Sequence, residues 1–349
     1  MAARSLVAGV GGYLPARVVT NDDLAQRVET SHAWIVERTG IHERRLAAEH
    51  ETCAHMAAEA GRAALADAGA GPGDVDAVVV ATATPDQAFP ATAVRVQAVL
   101  DIKQGFGFDV SAACSGFVYA LAIGDGMIRS GQAHGVLVIG SEVYSRIMNW
   151  QDRGTCVLFG DGAGAVFLRA AGPEDGERGV LSTHLHSDGA LGDALYVDGA
   201  VGRPDRPGHL VMNGREIFRH AVSKLAAAVD EALAANGLSH PDVDWLVPHQ
   251  ANRRIIDAMG KKLGLPPERV VVTVDRHANT SAASIPLALA EAYADGRIKR
   301  GDLVLMEALG GGLTWGSALV RLIEENPPEK QVEAVKTYIQ SLRAGRRGA

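Results

Sequence analysis

Long apolar runs, a surplus of positive charge and a cysteine framework are all missing from this chain. Three cysteines, Cys53, Cys114 and Cys156, are spread through 349 residues. That is an odd number at no metal-ligand spacing, so neither a disulfide scaffold nor a zinc site is expected, and a reducing compartment fits. No apolar stretch approaches the ~18 residues of a membrane span. The N-terminal MAARSLVAGVGGYLPARVV holds only a short apolar stretch broken by glycines, unlike a secretory leader. The expectation is therefore a cytoplasmic protein with no membrane partner. A formal net charge of -7 argues against nucleic acid as the main partner, because duplex binding rests on a broad cationic surface. What is present is ordinary: 47% hydrophobic and 21% charged residues, enough to bury a large core in one or two domains.

Val-rich runs at Ala77 to Ala81, Gly135 to Ile139, Asp244 to Val247 and Leu303 to Met306 alternate with Ala-rich stretches of helical period, an α/β pattern. The two halves echo one another. DVDAVVVATATPD from Asp74 matches DVDWLVPHQANRR from Asp242, DVSAACSGFVYALAIG from Asp109 matches VDRHANTSAASIPLAL from Val274, and GVLVIGSE from Gly135 matches DLVLMEALG from Asp302. Similar offsets in the same order predict an internal duplication joined near the polar AGPEDGERG segment. The middle match sets Cys114 opposite Asn279 and places both near the centre of the molecule, where α/β folds put ligands.

Three groups at strand-to-helix junctions carry chemistry. Cys114 follows the strand-like FGFDV and precedes a helix from about Ser115 to Ile128, with small residues around it for a tight elbow. A helix N-terminus favours a thiolate; ~2 kcal/mol there would move its pKa from ~8.5 to about 7. His249 stands at the end of the strand-like DWLV, just before a helix beginning near Ala251, and Asn279 lies in RHANTSAAS. Singly, each has a blander reading: a small buried hydrophobe, a core histidine, a turn asparagine. Together they describe a site that forms a thioester and then holds an enolate with two neutral donors. The glycines of ALGGGLTWGSA would let backbone approach that site and offer a second N–H beside that of Cys114 as an oxyanion hole. GDGAG from Gly160 lacks the spacing of a dinucleotide fingerprint. Cys53, in a polar helix start, and Cys156, in the strand-like TCVLF, read as structural.

At TSHAWIVERTGIHERR, AFPATA, DVSAACSGFVYAL, DRGTCVLFGDGAGA, VPHQANRRI, RHANTSAAS and GGGLTWGSALV the chain resembles the β-ketoacyl-acyl carrier protein synthase III family, from about Ser5 to Arg321. The resemblance implies a thiolase-like α/β fold: two duplicated βαβαβ-type halves, 1–172 and 173–324, packed as a five-layer αβαβα sandwich, with 325–349 as an appended tail. It implies Cys114 as nucleophile, His249 and Asn279 as the donors supporting malonyl decarboxylation, and Gly311 as the second oxyanion donor. It also implies a coenzyme A tunnel with Trp34 stacked on adenine, Arg38 and Arg153 near the nucleotide, and Thr30, Gly154, Met212, Gly214, Ala251 and Asn252 along its wall. Phe89 matches a residue that reaches from a second subunit to close the acyl pocket, so a homodimer is implied. Arg219, Arg254, Lys261 and Lys262 match basic positions that would meet an acidic carrier protein. The implied partners are an acyl-CoA and malonyl-acyl carrier protein; no metal or redox cofactor is called for.

Two departures stand out. Leu309 occupies a position where the family often has Phe, which alters the wall beside the nucleophile. In the tail, Val332, Val335, Tyr338, Ile339 and Leu342 recur at helical spacing and predict an amphipathic helix. A thiolase would carry a second cysteine near the final glycines, and a chain-elongating synthase would use two histidines. A ketosynthase or acyltransferase of specialised metabolism would share Cys, His and Asn, and a non-catalytic carrier-protein-binding subunit could share the fold.

Overall fold

Two sheets, each covered on both faces by helices, organise the computed structural model, which describes residues 4–176, 178–299 and 301–322. The appended tail predicted at 325–349 lies outside the described residues. In chain order the elements are β1 (Ser5–Tyr13), β2 (Val18–Thr20), α1 (Asn21–Ala25), α2 (His32–Thr39), β3 (Glu43–Arg45), α3 (Cys53–Ala68), β4 (Ala77–Ala81), α4 (Thr92–Val99), β5 (Phe106–Val110), α5 (Gly116–Arg129), β6 (Gly135–Glu142) and β7 (Gly162–Ala170). The second half continues with β8 (Gly179–Ser187), β9 (Leu195–Val197), β10 (Leu210–Met212), α6 (Gly214–Ala235), β11 (Trp245–Pro248), α7 (Arg253–Leu263), α8 (Val274–His277), α9 (Ser284–Ala294), β12 (Leu303–Gly310) and β13 (Thr314–Arg321).

The first sheet runs β1-β7-β6-β4-β5 and the second β11-β12-β13-β8. In both, the sequence-central strands pair in parallel (β4 with β5 and β6, β11 with β12) and the outer ones antiparallel. β8, β13, β12 and β11 therefore repeat the order of β1, β7, β6 and β4. The counterpart of β5 is reduced to a single parallel bridge between Leu246 and Val270, just after Pro266 and Pro267, which cannot donate to a ladder.

Continuous apolar strands are expected where both faces of a sheet are covered, and β4 (AVVVA) and β6 are buried at every position. Helices α3 and α4 cover the outer face of the first sheet, α6 and α7 cover that of the second, and α5 and α9 lie between the sheets. The result is five layers. Phe117, Leu121, Ile285 and Leu289 of the two middle helices are buried with Val79, Val138, Val304 and Met306 from both sheets.

One sequence register is corrected. A short 3-10 turn, Ala113–Ser115, precedes α5, and its repeat, Ser281–Ala283, precedes α9. Both open on a residue with positive φ, Ala113 at 45° and Ser281 at 50°. Cys114 thus corresponds to Ala282, and Asn279 sits three residues earlier; the duplication was legible, but a run of Ala and Ser offers little to fix register. Cys156 is also not in a strand: it lies buried in the turns before Phe159.

Candidate active site

The turn holding Cys114 is clamped from two sides. From the second sheet, the β12–β13 hairpin folds over it so closely that a Cβ at Gly310 would lie 2.6 Å from the Cys114 nitrogen, and only glycine fits. Thr314 Oγ1 donates to the Ala112 carbonyl at 3.0 Å, and Ser115 Oγ donates to Thr314 Oγ1 at 2.7 Å. From the other half comes the 281–283 turn. A Cβ on Gly140 of β6 would stand 2.1 Å from the Ala282 carbonyl oxygen, so that bare glycine sets the turn against the sheet.

Asn279 and His249 reach the same place through this turn. Asn279 is buried, and its Oδ1 accepts the Ser281 N–H at 2.8 Å; that fixes the amide orientation and leaves the NH2 group to serve as a donor. The Ser281 and Tyr144 hydroxyls lie near the Cys114 sulfur and favour its charged form. His249 continues β11, its N–H bonded to the Glu307 carbonyl at 2.8 Å, and its Nδ1 meets Ser284 Oγ, the first residue of α9, at 2.6 Å. Ser284 Oγ also accepts the Gln250 N–H at 3.3 Å, and the catalytically useful tautomer is the one in which its hydroxyl donates to Nδ1. Nε2 then carries the imidazole proton. Burial holds the His249 pKa down at about 3, so the ring is a neutral donor, suited to a developing oxyanion.

The expectation of a ready thiolate is not met. Burial pushes the Cys114 thiol up to about 12, helped by the nearby Glu142 carboxyl and opposed by hydrogen bonds from Ser281, its own N–H and Tyr144. The cost of desolvating a thiolate outweighs the favourable helix terminus. Cys53 is similarly buried and pushed up to about 12, its sulfur donating to the Ser141 carbonyl at 3.3 Å.

The remaining predicted positions surround this centre unevenly. Leu309 is buried on β12 opposite Trp315. Gly311 lies in the hairpin turn, its Cα facing Leu195 while Gly310 faces Cys114. Trp34 of α2 is flanked by two cations, with the Arg38 guanidinium 4.4 Å and that of Arg153 5.0 Å from its ring. Arg153 also donates to the Glu29 carbonyl, beside Thr30, whose buried hydroxyl has no partner. Gly154 turns back on the Asp152 carboxylate. Asn252 caps α7 through the Arg254 N–H at 2.8 Å and donates to the Arg38 carbonyl at 3.1 Å, tying α7 to α2 next to Ala251. Met212 ends β10 against Gly214, the first residue of α6. Phe89 is 83% exposed, in a loop far from being a core residue. Of the basic set, Arg254 lies in the first turn of α7 and bonds the Glu37 carbonyl, Lys261 and Lys262 lie in the last turn of the same helix, and Arg219 pairs with Glu216 on α6. Lys261 and Lys262 line a surface depression of about 580 Å³ together with His240 and Arg269.

Sequence reasoning passed over Ser281, Ser284, Tyr144 and Glu142. Ser281 and Ser284 lie in the singled-out RHANTSAAS, where three serines and threonines offered no ground for choosing; nothing local marks Tyr144 or Glu142.

Residues 108–189 match the family model described as 3-oxoacyl-[acyl-carrier-protein (ACP)] synthase III, and residues 233–322 match that of its C-terminal part. A β-ketoacyl-[acyl-carrier-protein] synthase III from Acidiphilium cryptum is 71% identical over 318 residues, 91% of this chain and 99% of the relative. The crystal structure of the 3-oxoacyl-[acyl-carrier-protein] synthase III from Aquifex aeolicus superposes with a TM-score of 0.86 at 47% identity, covering 91% of this chain and 99% of that one. A priming β-ketosynthase from a polyketide biosynthetic pathway gives a TM-score of 0.87 at 36% identity, over 93% and 97% of the two chains.

Proposed function

The chain belongs to the 3-oxoacyl-[acyl-carrier-protein] synthase III family, and from that premise we infer that it joins an acyl group, carried as a thioester on Cys114, to a two-carbon unit released from malonyl-acyl carrier protein by loss of CO2. It is a β-ketoacyl-acyl carrier protein synthase III, an acyltransferase of fatty acid biosynthesis with the thiolase fold. The observation that carries the mechanism is the junction of Ser281 and Ser284, through which a sulfur, a carboxamide and an imidazole from distant parts of the chain meet.

Cys114 attacks the thioester carbonyl of an acyl-CoA, backbone N–H groups of the Cys114 turn and the β12–β13 hairpin hold the oxyanion, and the CoA thiolate leaves. Malonyl-acyl carrier protein then enters. Its C–CO2 bond breaks, the electron pair passes to the thioester oxygen, and the His249 Nε2–H and Asn279 NH2 stabilise that enolate. The carbon attacks the acyl-Cys114 carbonyl and expels the sulfur. Decarboxylation itself supplies the carbanion, so the scheme needs no metal or redox cofactor. The cations around Trp34 suit a nucleotide: a flat ring for adenine and guanidinium groups for phosphate.

A cytoplasmic homodimer is part of the proposal. β5 is an unpaired edge, and around it Phe89, Val94, Val99 and Phe106 are exposed, Phe89 to 83%; edge strands with apolar flanks recruit a second sheet. No helix among the described residues is long and apolar enough to cross a membrane.

Incubation with acyl-CoA should add the acyl mass to Cys114, and malonyl-acyl carrier protein should then release CO2 and clear the label. In His249→Ala/Asn279→Ala, labelling should persist while CO2 release falls by about 100-fold or more. Full condensation by that variant would overturn the assignment.

A further inference from the structure

One acid beside the nucleophile has no part in the scheme above. Glu142 ends β6, fully buried. Its Oε2 accepts the Thr84 hydroxyl at 2.6 Å, the Ala83 N–H at 3.0 Å and the Thr82 hydroxyl at 3.2 Å. Its Oε1 has no bond of full geometry, although the Ser281 hydroxyl and the Ala282 N–H approach the carboxylate and favour its charge. The same Ser281 hydroxyl lies near the Cys114 sulfur, whose charge it favours, and donates to the Tyr144 hydroxyl at 3.0 Å. A single hydroxyl therefore stands between a thiol and a buried carboxylate that has an open oxygen. Ser281 is held there at a positive φ of 50° by the Asn279 clasp on its N–H, a conformation that persists only where its surroundings impose it.

We propose that Glu142 takes the Cys114 proton through Ser281 when the acyl group arrives and returns it when Cys114 is released. The inference rests on the acyl-transfer reading above. In the first half-reaction the Cys114 S–H bond breaks as sulfur bonds the acyl carbon. Its proton forms a new bond to Ser281 Oγ, whose own proton turns from Tyr144 to Glu142 Oε1. The CoA thiolate leaves and takes a proton from water. In the second half-reaction the sulfur leaves with the electron pair of the broken acyl bond, and the Glu142 proton travels back by the same route. One solvent proton is consumed per turnover, as decarboxylative condensation requires.

The alternatives are less suited. The His249 Nδ1 is engaged by the Ser284 hydroxyl, and burial makes the ring a poor acceptor, with a pKa of about 3. Glu142, raised to about 7 by burial and held back by its hydrogen bonds, sits where a base gains or loses its proton near neutral pH. The titratable groups facing it are Cys53 of α3, with Asp86 beside that thiol, and Cys114 and Tyr144; burial raises the pKa of Cys53, Cys114 and Tyr144.

Single-turnover labelling of Cys114 by acetyl-CoA, followed by intact mass across pH, tests the relay. The wild-type rate should rise with pH through an inflection near 7. Glu142→Gln keeps the shape and most hydrogen bonds; its rate should fall by about 100-fold and the inflection should vanish, while Glu142→Asp should recover part of both. Ser281→Gly, which accepts the positive φ, should lose the inflection too, and it carries the test if the Gln variant does not fold. A wild-type rate and pH profile in either variant would overturn the proposal. Failure to label the wild-type protein would overturn the acyl-transfer reading instead, and the relay with it.

Discussion

Two buried carboxyls at similar depth behave differently because of their neighbours. Glu142 has three donors on one oxygen. Glu307, on β12, has no partner on either oxygen and is pushed up to about 8 by burial alone. The folded protein therefore holds a proton on Glu307 that the unfolded chain, at the ordinary value of 4.5, has already released. The contribution of Glu307 to stability is greatest below 4.5 and declines as pH rises towards 8, because the folded state binds the extra proton. Glu307→Gln removes the titration. Its stability over wild type should grow from nothing at pH 4.5 to at most about 4 kcal/mol at pH 8, measured by urea unfolding at several pH values; a constant difference would show that the carboxyl does not titrate in that range. Neither acid was legible in the sequence. A Glu within an apolar strand reads the same whether or not its neighbours can satisfy it.

At the scale of elements, the site is made by two equivalent 3-10 turns meeting near the middle of the molecule. Each turn leads into a helix of the central layer, so Cys114 and Ser281 are aimed by helices that are themselves wedged between sheets. Gly140 is the contact that sets their spacing. Gly140→Ala would drive a methyl into the Ala282 backbone, at 2.1 Å from its oxygen, where no side chain can yield. The expected cost is about 1–3 kcal/mol of stability, read from the urea midpoint. A larger relative loss in Cys114 acylation should accompany it, since the displaced turn carries Ser281. Normal acylation would mean that the turn relaxes without moving its hydroxyl. The basic helix α7 shows the limit of reading by period alone. Arg254 and Lys261 share a face, as their spacing requires, but Arg254 is turned to the Glu37 carbonyl beside α2 while Lys261 faces the depression at the opposite end.

At the scale of the molecule, the β5 edge, unpaired among the described residues, and its exposed apolar residues underlie the proposed second copy. Phe106→Lys places a charge at that edge. The variant should sediment as a monomer where the wild-type protein sediments as a dimer. It should also lose acyl-chain retention at Cys114, because Phe89 of a partner would no longer reach the pocket. An unchanged sedimentation coefficient would remove the proposed interface. The sequence alone carried the α/β alternation and the echo between its halves, and offered Cys114, His249 and Asn279 as candidates, because strand composition, repeat offsets and reactive residues at element junctions are local properties written along the chain. Only the tertiary structure decided the register of the repeat, the burial of Cys114, the Ser284 partner of His249 and the company of Glu142. Each of these depends on burial and on groups far apart in the chain that folding brings together, and spacing along a chain carries no measure of either.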